Sequence, residues 1–597
     1  MVPQVICFDR PHRYESWIKH HPQYSHYSPV SLSQPLAGAT EDSRREFLST
    51  YVDCVGRLSV HNHGLLWWAS DLSSKNRFLS PLAGPLEQFF KLIHLIKKSN
   101  EDALILVDVP FLMKTGLQRS FLSHQVRCEW YGQRTWPALE ILQEPLVLGL
   151  RIIRHLIYII PRIIKARRLF GALVNEKSKD KTPAYLIRTF ISTRSFDATG
   201  HYKDLFFGSL PDFLSKYSRI IILADVMDDF SKTLDLMKQF GEGRLYPLEV
   251  FMTITDVLKA SLQMAAYKIR VPQPLNFCSY DISDLVRQIC KRQGSKIQPL
   301  QLYQYRMMKR FLEKFSVHDF LLTCEFNPWE KMCIRALREG SPAVKILGYQ
   351  HTVVPQASAN MFVSRLEQEI IPRPDLILTV GQKPKDIIAR YETCAPSRIK
   401  TSCGLRFEYL FKQAPSSRQR RGHVLLALEG LPQAVGMTNY VLQQWPSCES
   451  YQLRIRTHVV LPLEKIKSQL ISDPAGLPRV EISKLSSLQD DLSWADIVIY
   501  WGSTVALEAL IMGKPVAHYD NGSLLSFDPL FELNDFKWRV TGSSALPGVL
   551  DEIFNLPDVV FEEKRQKAKA YLTSYFHPVT LDAMRLFLEP RGHHYVR

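Results

Sequence analysis

Residues 494–520, WADIVIYWGSTVALEALIMGKPVAHYD, carry the side chains best suited to hold a nucleotide. A short apolar strand runs into the turn Gly502, Ser503 and Thr504, followed by a short helix and a second strand, which is the pattern of a βαβ unit. The start of a helix leaves backbone amides unpaired and attracts phosphate. Glu508 lies one turn further on the same side, where its carboxylate can accept hydrogen bonds from a ribose diol. The stretch predicts a nucleotide site; the alternative is a capped helix with a solvated glutamate.

Two more polar residues follow apolar segments, LLTC before Glu325 and VKILGYQ before His351. Ligands of open α/β sheets bind at the carboxyl ends of the strands, so both side chains belong to a candidate site. Glu325 is predicted either to act as a general base or to cap the helix that begins at Pro328. The imidazole of His351 titrates near neutrality in its ordinary state and could take a proton from an acceptor hydroxyl; the alternative is a structural histidine.

Basic side chains alternate along YQLRIRTHVVLP, residues 451–462. In a strand, Arg454, Arg456 and His458 share one face because side chains alternate with a period of two. Positive groups there would stabilise the charge that develops on a diphosphate leaving group. The alternative is an edge strand whose basic side chains contact solvent.

Four motifs within residues 321–520 are CEFNPWEKMCIRALRE, ILGYQHTVVP, RTHVVLP and YWGSTVALEALIMGKPV. Together they resemble a GT-B type family of bacterial surface-carbohydrate biosynthesis, of the O-antigen and capsule kind. They are similar, more distantly, to capsule sugar transferases and to CDP-glycerol glycerophosphotransferases. The resemblance implies that His351 is the base, that His458 contacts the donor phosphates, and that Ser503 and Thr504 hold the same phosphates.

The sequence departs from the family pattern at two positions. Thr352 follows His351 where the relatives have a glycine, and the proline after His458 comes at Pro462 rather than directly after it. Both departures bear on the roles that the resemblance implies for the two histidines.

The resemblance implies a glycosyltransferase that moves a sugar from a nucleotide-activated donor to a cell-surface glycan or its lipid-linked precursor. Catalysis is expected from His351 and Glu325. Donor binding is expected from Arg456, His458, Gly502, Ser503, Thr504 and Glu508. Because cationic groups can stabilise the leaving group and no DxD motif lies near these segments, the enzyme is expected to need no metal and no cofactor. Deprotonation of the acceptor hydroxyl favours an inverting displacement.

Strands alternate with helices along most of the chain, which predicts doubly wound parallel sheets. Residues 1–410 are predicted to form an N-terminal, acceptor-side Rossmann-like domain, 411–422 a linker, and 423–597 a C-terminal nucleotide-sugar-binding Rossmann-like domain with terminal helices. Strands are expected at 5–8, 103–109, 185–191, 219–224, 320–324, 344–349, 375–380, 399–403, 423–428, 451–456, 480–482 and 497–500. The predicted fold class is therefore GT-B, an α/β fold whose two parallel sheets face a central cleft.

An arginine-containing apolar segment, residues 140–172, is predicted to be an amphipathic helical insertion bent at Pro161. Arg151, Arg154 and Arg162 fall on one face and are expected to contact an anionic membrane surface and the acceptor. Arginines in the middle of the segment argue against a transmembrane span. The alternative is a core helix with a solvated basic edge.

Lys and Arg number 75 against 59 acidic residues, and the net charge of +16 favours polyanionic partners. No zinc finger, RNP motif or basic helical arm accompanies this charge, so nucleic acid is not expected as a partner. The ten cysteines form no CxxC pair, which indicates a reduced protein without structural zinc. With no signal peptide and no apolar run of membrane length expected, the predicted location is the cytoplasm, peripheral at the inner face of the membrane.

Two other classes of function stay open. A CDP-alcohol phosphotransferase or a sugar-nucleotide epimerase would use the same fold. A non-catalytic assembly factor of a polysaccharide machine would retain the site in degenerate form.

Overall fold

The computed structural model describes residues 4–7, 11–24, 30–31, 40–99, 103–107, 118, 121, 124, 127–131, 137–293, 299–391, 398–412, 417–458, 460–484 and 487–588. Three parallel sheets and one antiparallel two-stranded pair account for the strands of these residues.

The first sheet is built by the amino-terminal part of the chain, in the order β2-β1-β3-β4. Its strands are β1 (Gln4–Cys7), β2 (Val30–Ser31), β3 (Ala103–Val107) and β4 (Arg127–Tyr131). Four helices come between β1 and β3: α1 (Pro11–His20), α2 (Glu41–Asn62), α3 (Leu65–Trp68) and α4 (Ala83–Ser99). The predicted N-terminal domain therefore includes a small sheet separate from the one that carries Glu325 and His351.

A single long helix, α5 (Pro137–Lys177), leads from the first sheet to the second. Residues 140–172 are helical as predicted, and the helix continues through Pro161; the bend at this residue stays a prediction. A proline removes one backbone hydrogen bond, and burial of the face formed by Ile159, Ile163 and Phe170 holds the remaining turns in place.

The second sheet has seven parallel strands in the order β13-β12-β11-β10-β5-β6-β7. The strands are β5 (Ala184–Ile191), β6 (Ile220–Val226), β7 (Leu245–Pro247), β10 (Val317–Thr323), β11 (Lys345–Gln350), β12 (Leu376–Thr379) and β13 (Ile399–Thr401), and the hairpin is β8 (Asn276–Phe277) with β9 (Tyr280–Asp281). The intervening helices are α6 (Leu210–Ser215), α7 (Phe230–Phe240), α8 (Ile254–Ala266), α9 (Ser283–Gln293), α10 (Pro299–Leu312), α11 (Pro328–Gly340) and α12 (Gln382–Tyr391).

The third sheet has six parallel strands in the order β16-β15-β14-β17-β18-β19. The strands are β14 (His423–Ala427), β15 (Gln452–Arg456), β16 (Val480–Ile482), β17 (Ile497–Tyr500), β18 (Val516–Tyr519) and β19 (Lys537–Val540). The helices are α13 (Ala434–Gln444), α14 (Leu463–Ile466), α15 (Leu488–Trp494), α16 (Val505–Ile511), α17 (Leu546–Phe554), α18 (Asp558–Tyr575) and α19 (Leu581–Arg585). The predicted fold class, with two Rossmann-like units built on parallel sheets, is confirmed.

The chain returns to the second sheet after α18. The hydroxyl of Tyr575 accepts a hydrogen bond from the backbone amide of Val354 at 2.9 Å, and the hydroxyl of Tyr185 donates to the carbonyl of Phe587 at 2.9 Å. β13 ends at Thr401 and β14 begins at His423, so the two large sheets lie on either side of the interval 411–422. The domain boundaries at 410 and 422 remain predictions.

Candidate functional site

Glu325 and His351 meet at the carboxyl edge of the second sheet. They follow the adjacent strands β10 and β11, which pair with Thr323 opposite Tyr349. Nε2 of His351 lies 3.9 Å from Oε1 of Glu325. The polar residues that follow these two apolar strands thus form a carboxylate–imidazole pair, as expected for side chains at one edge of a parallel sheet.

His351 is buried, and its ring packs edge-on against Phe206 with 4.9 Å between the ring centroids. Its Nδ1 atom has no hydrogen-bond partner among the described residues. Burial, followed by the positive charge of Arg406, lowers the pKa of His351 to about 3. The imidazole is therefore neutral at physiological pH and can hold a hydroxyl as a hydrogen-bond partner.

Glu325 is not the cap of helix α11. Asn327 is the N-cap residue, and the carboxylate that serves the helix end belongs to Glu330, which accepts hydrogen bonds from the backbone amides of Glu325 at 2.8 Å and Asn327 at 3.0 Å. The Glu325 side chain accepts a bond from the Asn327 amide group at 3.0 Å. Burial raises the pKa of Glu325, while this bond and Arg406 oppose the rise. The capping alternative is therefore excluded for Glu325, and its role as a general base stays a prediction.

Glu508 of helix α16 lies in the unit that carries the third sheet, and its side chain is buried. Burial raises its pKa, and a hydrogen bond from Tyr409 together with the charges of Arg406 and Arg456 opposes the rise. Tyr409 belongs to the 3₁₀ segment Leu405–Lys412, which follows β13. Tyr409, in the connection between the two units, thus donates its phenol hydroxyl to Glu508, the carboxylate predicted to bind a ribose.

Arg406 is a residue of the site that sequence reasoning missed. Its positive charge lowers the pKa of Glu325 and His351 in one unit and of Glu508 in the other. Burial is the larger influence on the pKa of each of the three residues. Its guanidinium lies 5.7 Å from the centroid of the Phe206 ring and is exposed. The missed signal is its position shortly after strand β13, the same criterion that identified Glu325 and His351.

The strand β15 does place Arg454 and Arg456 on one face, but this face is covered by helix α15. Nη1 of Arg456 lies 2.5 Å from Oδ2 of Asp491, and Nη1 of Arg454 lies 3.3 Å from Oδ1 of the same fully buried carboxylate. Arg454 also stacks at 3.9 Å on the Trp494 ring. Asp491 compensates the charge of Arg456, and the role predicted for Arg456 in neutralising a diphosphate stays a prediction.

His458 lies beyond the strand and is exposed. Its Nδ1 accepts a hydrogen bond from the backbone amide of Val460 at 3.2 Å, and burial and then Arg194 lower its pKa. The ring packs directly on Gly430, where an added Cβ would come within 2.6 Å of Nδ1. Because Gly430 has no side chain, the imidazole of His458 can pack against the backbone just after β14.

The turn predicted to bind phosphate already has an anionic partner. Oε1 of Glu429 accepts hydrogen bonds from the backbone amides of Trp501 at 3.1 Å and Gly502 at 2.8 Å. Its Oε2 is buried with no partner among the described residues. Ser503 accepts a bond from the amide of Val505 at 3.2 Å. The sequence prediction treats these amides as open, whereas tertiary structure places a carboxylate on two of them.

Helix α16, at seven residues, is short, and its N-cap residue Thr504 makes no capping bond with its side chain. The backbone of Gly502 passes so close to Phe527 that an added Cβ would lie 2.6 Å from the Cβ of Phe527. Phe527 stacks in turn on Phe78, with 4.8 Å between centroids. The turn is therefore positioned by a side chain of the loop after β18.

That loop, residues 520–528, is held by the amino-terminal helices. Nη2 of Arg44 on α2 lies 2.6 Å from Oδ2 of Asp520, and both side chains are almost fully buried. Glu87 on α4 accepts a hydrogen bond from the backbone amide of Leu524 at 3.1 Å. The amino-terminal helices therefore bridge to the unit that carries the third sheet.

The three arginines predicted for the membrane and the acceptor have different surroundings. Arg154 is exposed on α5, while the side chain of Arg151 lies outside the described part of the structure. Arg162 is held by the buried carboxylate of Glu249 at 2.7 Å, and its guanidinium lies 3.9 Å from the centroid of Phe230. A buried ion pair thus occupies the guanidinium of Arg162, and the contact predicted for this residue with the membrane and the acceptor stays a prediction.

Within the described residues, no group of three or more His, Cys, Asp or Glu side chains is arranged to hold a metal ion. None of the helices described is long and apolar enough to cross a bilayer.

The fold has two Rossmann-like units, each built on a large parallel sheet. Similar solved structures include the glycotransferase of kitacinnamycin, with a TM-score of 0.40 and 11% identity over 68% of this chain and 97% of that chain. UDP-GlcNAc 2-epimerase from Neisseria meningitidis bound to UDP-GlcNAc has a TM-score of 0.38 and 11% identity over 68% and 98% of the two chains. MurG of Acinetobacter baumannii has a TM-score of 0.37 and 12% identity over 68% and 98%. Likenesses of this size do not extend to a substrate or a reaction.

No protein-family model matches the chain, and no curated protein matches it in sequence.

Proposed function

We propose that the chain is a glycosyltransferase that moves a sugar from a nucleotide-activated donor to an acceptor hydroxyl at the Glu325–His351 pair. One observation carries the proposal: Nε2 of His351 lies 3.9 Å from Oε1 of Glu325, and the charge of Arg406 lowers the pKa of both residues and of Glu508 in the other unit. A base, a cation and a carboxylate suited to a ribose thus converge on one cleft. Such a grouping of titratable side chains between two domains is typical of an active site.

Glu325 is the base in this proposal. Burial raises the pKa of Glu325, whereas the pKa of His351 is lowered to about 3. The carboxylate of Glu325 is therefore a stronger base than the imidazole of His351. The neutral imidazole of His351 positions the acceptor hydroxyl. As the acceptor oxygen bonds to the anomeric carbon, the bond from that carbon to the donor phosphate breaks, and the proton passes to Glu325.

Arg406 compensates the negative charge that the departing nucleotide phosphate carries away from the sugar. Glu508, supported by Tyr409, accepts hydrogen bonds from the ribose hydroxyls. His458 and the Gly502–Thr504 turn are proposed to bind the donor phosphates. The acceptor is proposed to be a cell-surface glycan or its lipid-linked precursor, and attack from the face opposite the leaving group inverts the anomeric carbon.

Nucleotide release from a panel of nucleotide sugars, with lipid-linked glycan as acceptor, tests the proposal. Glu325→Gln is expected to lower kcat by about 10²-fold or more, and Glu508→Gln to raise KM for the donor. Glu563→Gln, on the exposed face of α18, is the matched control and should leave both constants unchanged. Release from CDP-glycerol alone, or epimerised donor without transfer, would instead identify a phosphotransferase or an epimerase.

A non-catalytic assembly factor is the second candidate, and Glu429 is the observation that favours it. A carboxylate on the amides of Trp501 and Gly502 repels a diphosphate from the turn. If glycan production in cells is unchanged by Glu325→Gln and Glu508→Gln together, the catalytic proposal fails and this one stands.

A further inference from the structure

The outward face of helix α5 carries a row of exposed apolar side chains. Leu150, Ile153, Ile157 and Ile164 are 58%, 54%, 71% and 58% exposed. At 100° per residue these positions fall on one side of the helix, and the buried residues Ile159, Ile163, Ala166 and Phe170 fall on the opposite side. Single exposed apolar residues are ordinary in folded proteins, but a continuous row of four marks an interaction surface.

The charged side chains that α5 itself carries beside the apolar row are all positive, and the carboxylate of Asp235 on α7 lies 3.9 Å from Nζ of Lys165. Arg154, Arg167 and Arg168 are exposed along it. No aspartate or glutamate occurs between Glu144 and Glu176, a stretch that contains six arginines and lysines. The surface is therefore apolar along its centre and cationic at its margins.

Helix α8 packs against α5 and extends the same kind of surface. Ile254, Leu258 and Leu262 on α8 are 47%, 48% and 71% exposed and recur every fourth residue. Lys259 is exposed beside them. The apolar surface is thus shared by two neighbouring helices, and α8 was not singled out in the sequence.

The position of α5 relates this surface to the cleft. The guanidinium of Arg162 donates to the carbonyl of Val226, at the carboxyl end of β6, so residue 162 lies level with the edge that carries Glu325 and His351. The 25 residues from Pro137 to Pro161 then extend roughly 37 Å beyond this edge at 1.5 Å per residue. β6 is two strands from β10, which is about 10 Å.

We infer that the outward faces of α5 and α8 lie on an anionic lipid bilayer, with the apolar row in the headgroup–acyl boundary and the arginines on lipid phosphates. An apolar row bordered by cations matches a bilayer with anionic headgroups. A second copy of this chain fits poorly, since a two-fold interface would set the cations of one copy against those of the other. Nucleic acid offers no apolar partner for four isoleucine and leucine side chains.

The surface proposed here contains different residues from those predicted to contact the membrane in the sequence. Arg162 is excluded because Glu249 holds it, and the apolar side chains provide the insertion. The binding of lipid is independent of the proposed function. Only the further point, that a membrane at this edge presents a lipid-linked acceptor toward Glu325, rests on that function.

Flotation of the purified full chain with vesicles tests the inference. Vesicles of phosphatidylcholine alone are compared with vesicles of equal parts phosphatidylcholine and phosphatidylglycerol. The chain should float with the anionic vesicles, and Ile153→Asp/Ile157→Asp should lower its partition coefficient by about tenfold or more. Val559→Asp/Leu581→Asp, at residues 81% and 61% exposed on other helices, is the matched control and should float like the unmodified chain.

Arg154→Gln/Arg167→Gln/Arg168→Gln should remove most of the preference for anionic vesicles, by on the order of tenfold to a hundredfold. If the aspartate variant loses its thermal transition, Ile153→Gln/Ile157→Gln replaces it. The inference is overturned if the unmodified chain stays unbound, if the apolar variants float equally well, or if Ile157 variants abolish a dimer while leaving flotation intact. None of these outcomes depends on nucleotide release, which tests the proposed function separately.

Discussion

The carboxylate of Glu429 lies 2.8 Å from the backbone nitrogen of Gly502, so a carboxylate of the protein itself binds the amide turn after β17. The other oxygen of this carboxylate is buried without a partner among the described residues, and burial raises the pKa of Glu429. An incoming phosphate must displace this carboxylate or bind beside it. Glu429, which follows β14, is therefore expected to oppose the binding of phosphate at the turn after β17.

Removing the charge of Glu429 is expected to strengthen nucleotide binding. Glu429→Gln keeps a hydrogen-bond acceptor for the two amides but removes the repulsion between carboxylate and phosphate, which is worth on the order of 1 kcal/mol or a tenfold change in Kd. Calorimetric titration with UDP and CDP measures it. An unchanged or weaker affinity would mean that Glu429 does not compete with the ligand.

Arg406→Gln is expected to lower transfer by about 10²- to 10³-fold, because the cation that faces the leaving group is lost. The same change should raise the pKa of both Glu325 and His351, since Arg406 lowers each of them after the larger effect of burial. The acid limb of the pH–rate profile should move to higher pH. Arg420→Gln, at an exposed ion pair with Asp558, should leave rate and profile unchanged.

The pH dependence of transfer is expected to follow Glu325. Its carboxylate must be ionised to act as base, and burial raises its pKa above the ordinary 4.5, so kcat/KM should rise as pH rises through that pKa. Glu325→Gln should abolish this limb. His351→Gln should slow the reaction and leave the limb in place, because the pKa of His351, at about 3, lies below the working range. A limb that disappears only with His351 would assign the base to the imidazole.

Breaking the Arg44–Asp520 pair is expected to destabilise the contact between the amino-terminal helices and the loop 520–528. Arg44→Met leaves a buried carboxylate without its main partner and should cost about 3–5 kcal/mol. Adding Asp520→Asn should recover part of this loss, as a double-mutant cycle of thermal unfolding and limited proteolysis would detect. Strictly additive effects would show that the two residues are not coupled.

Gly502→Ala is expected to displace the turn after β17 and weaken nucleotide binding by about tenfold or more. The new Cβ would meet the Cβ of Phe527 at 2.6 Å, so the backbone must move. Gly436→Ala, inside α13 with no atom within 4 Å of its added Cβ, is the control. It should be neutral or stabilise the fold by up to about 1 kcal/mol. Equal behaviour of the two variants in thermal-shift and binding assays would contradict the packing argument.

The sequence was sufficient for the repeated strands and for the positions where they end. Apolar runs such as those ending at Thr323 and Gln350 are long and uninterrupted, and burial of both faces of a parallel sheet requires such runs. The strand Lys537–Val540 was missed because it has only four residues, two of which are charged. The helix Pro137–Lys177 was predicted with a bend at Pro161 from this proline alone, whereas the buried face that keeps the turns continuous through it is a property of the tertiary structure.

What the sequence determined by itself is the periodicity of the chain and the chemistry at each strand end, including Glu325, His351 and Glu508. Those properties depend on neighbouring residues along the chain. Only the tertiary structure decided which partners these side chains have: Asp491 on Arg456, Glu249 on Arg162, and Glu429 on the amide of Gly502. Such pairings join residues from 35 to 87 positions apart, and no local pattern encodes which buried carboxylate will compensate which charge or amide.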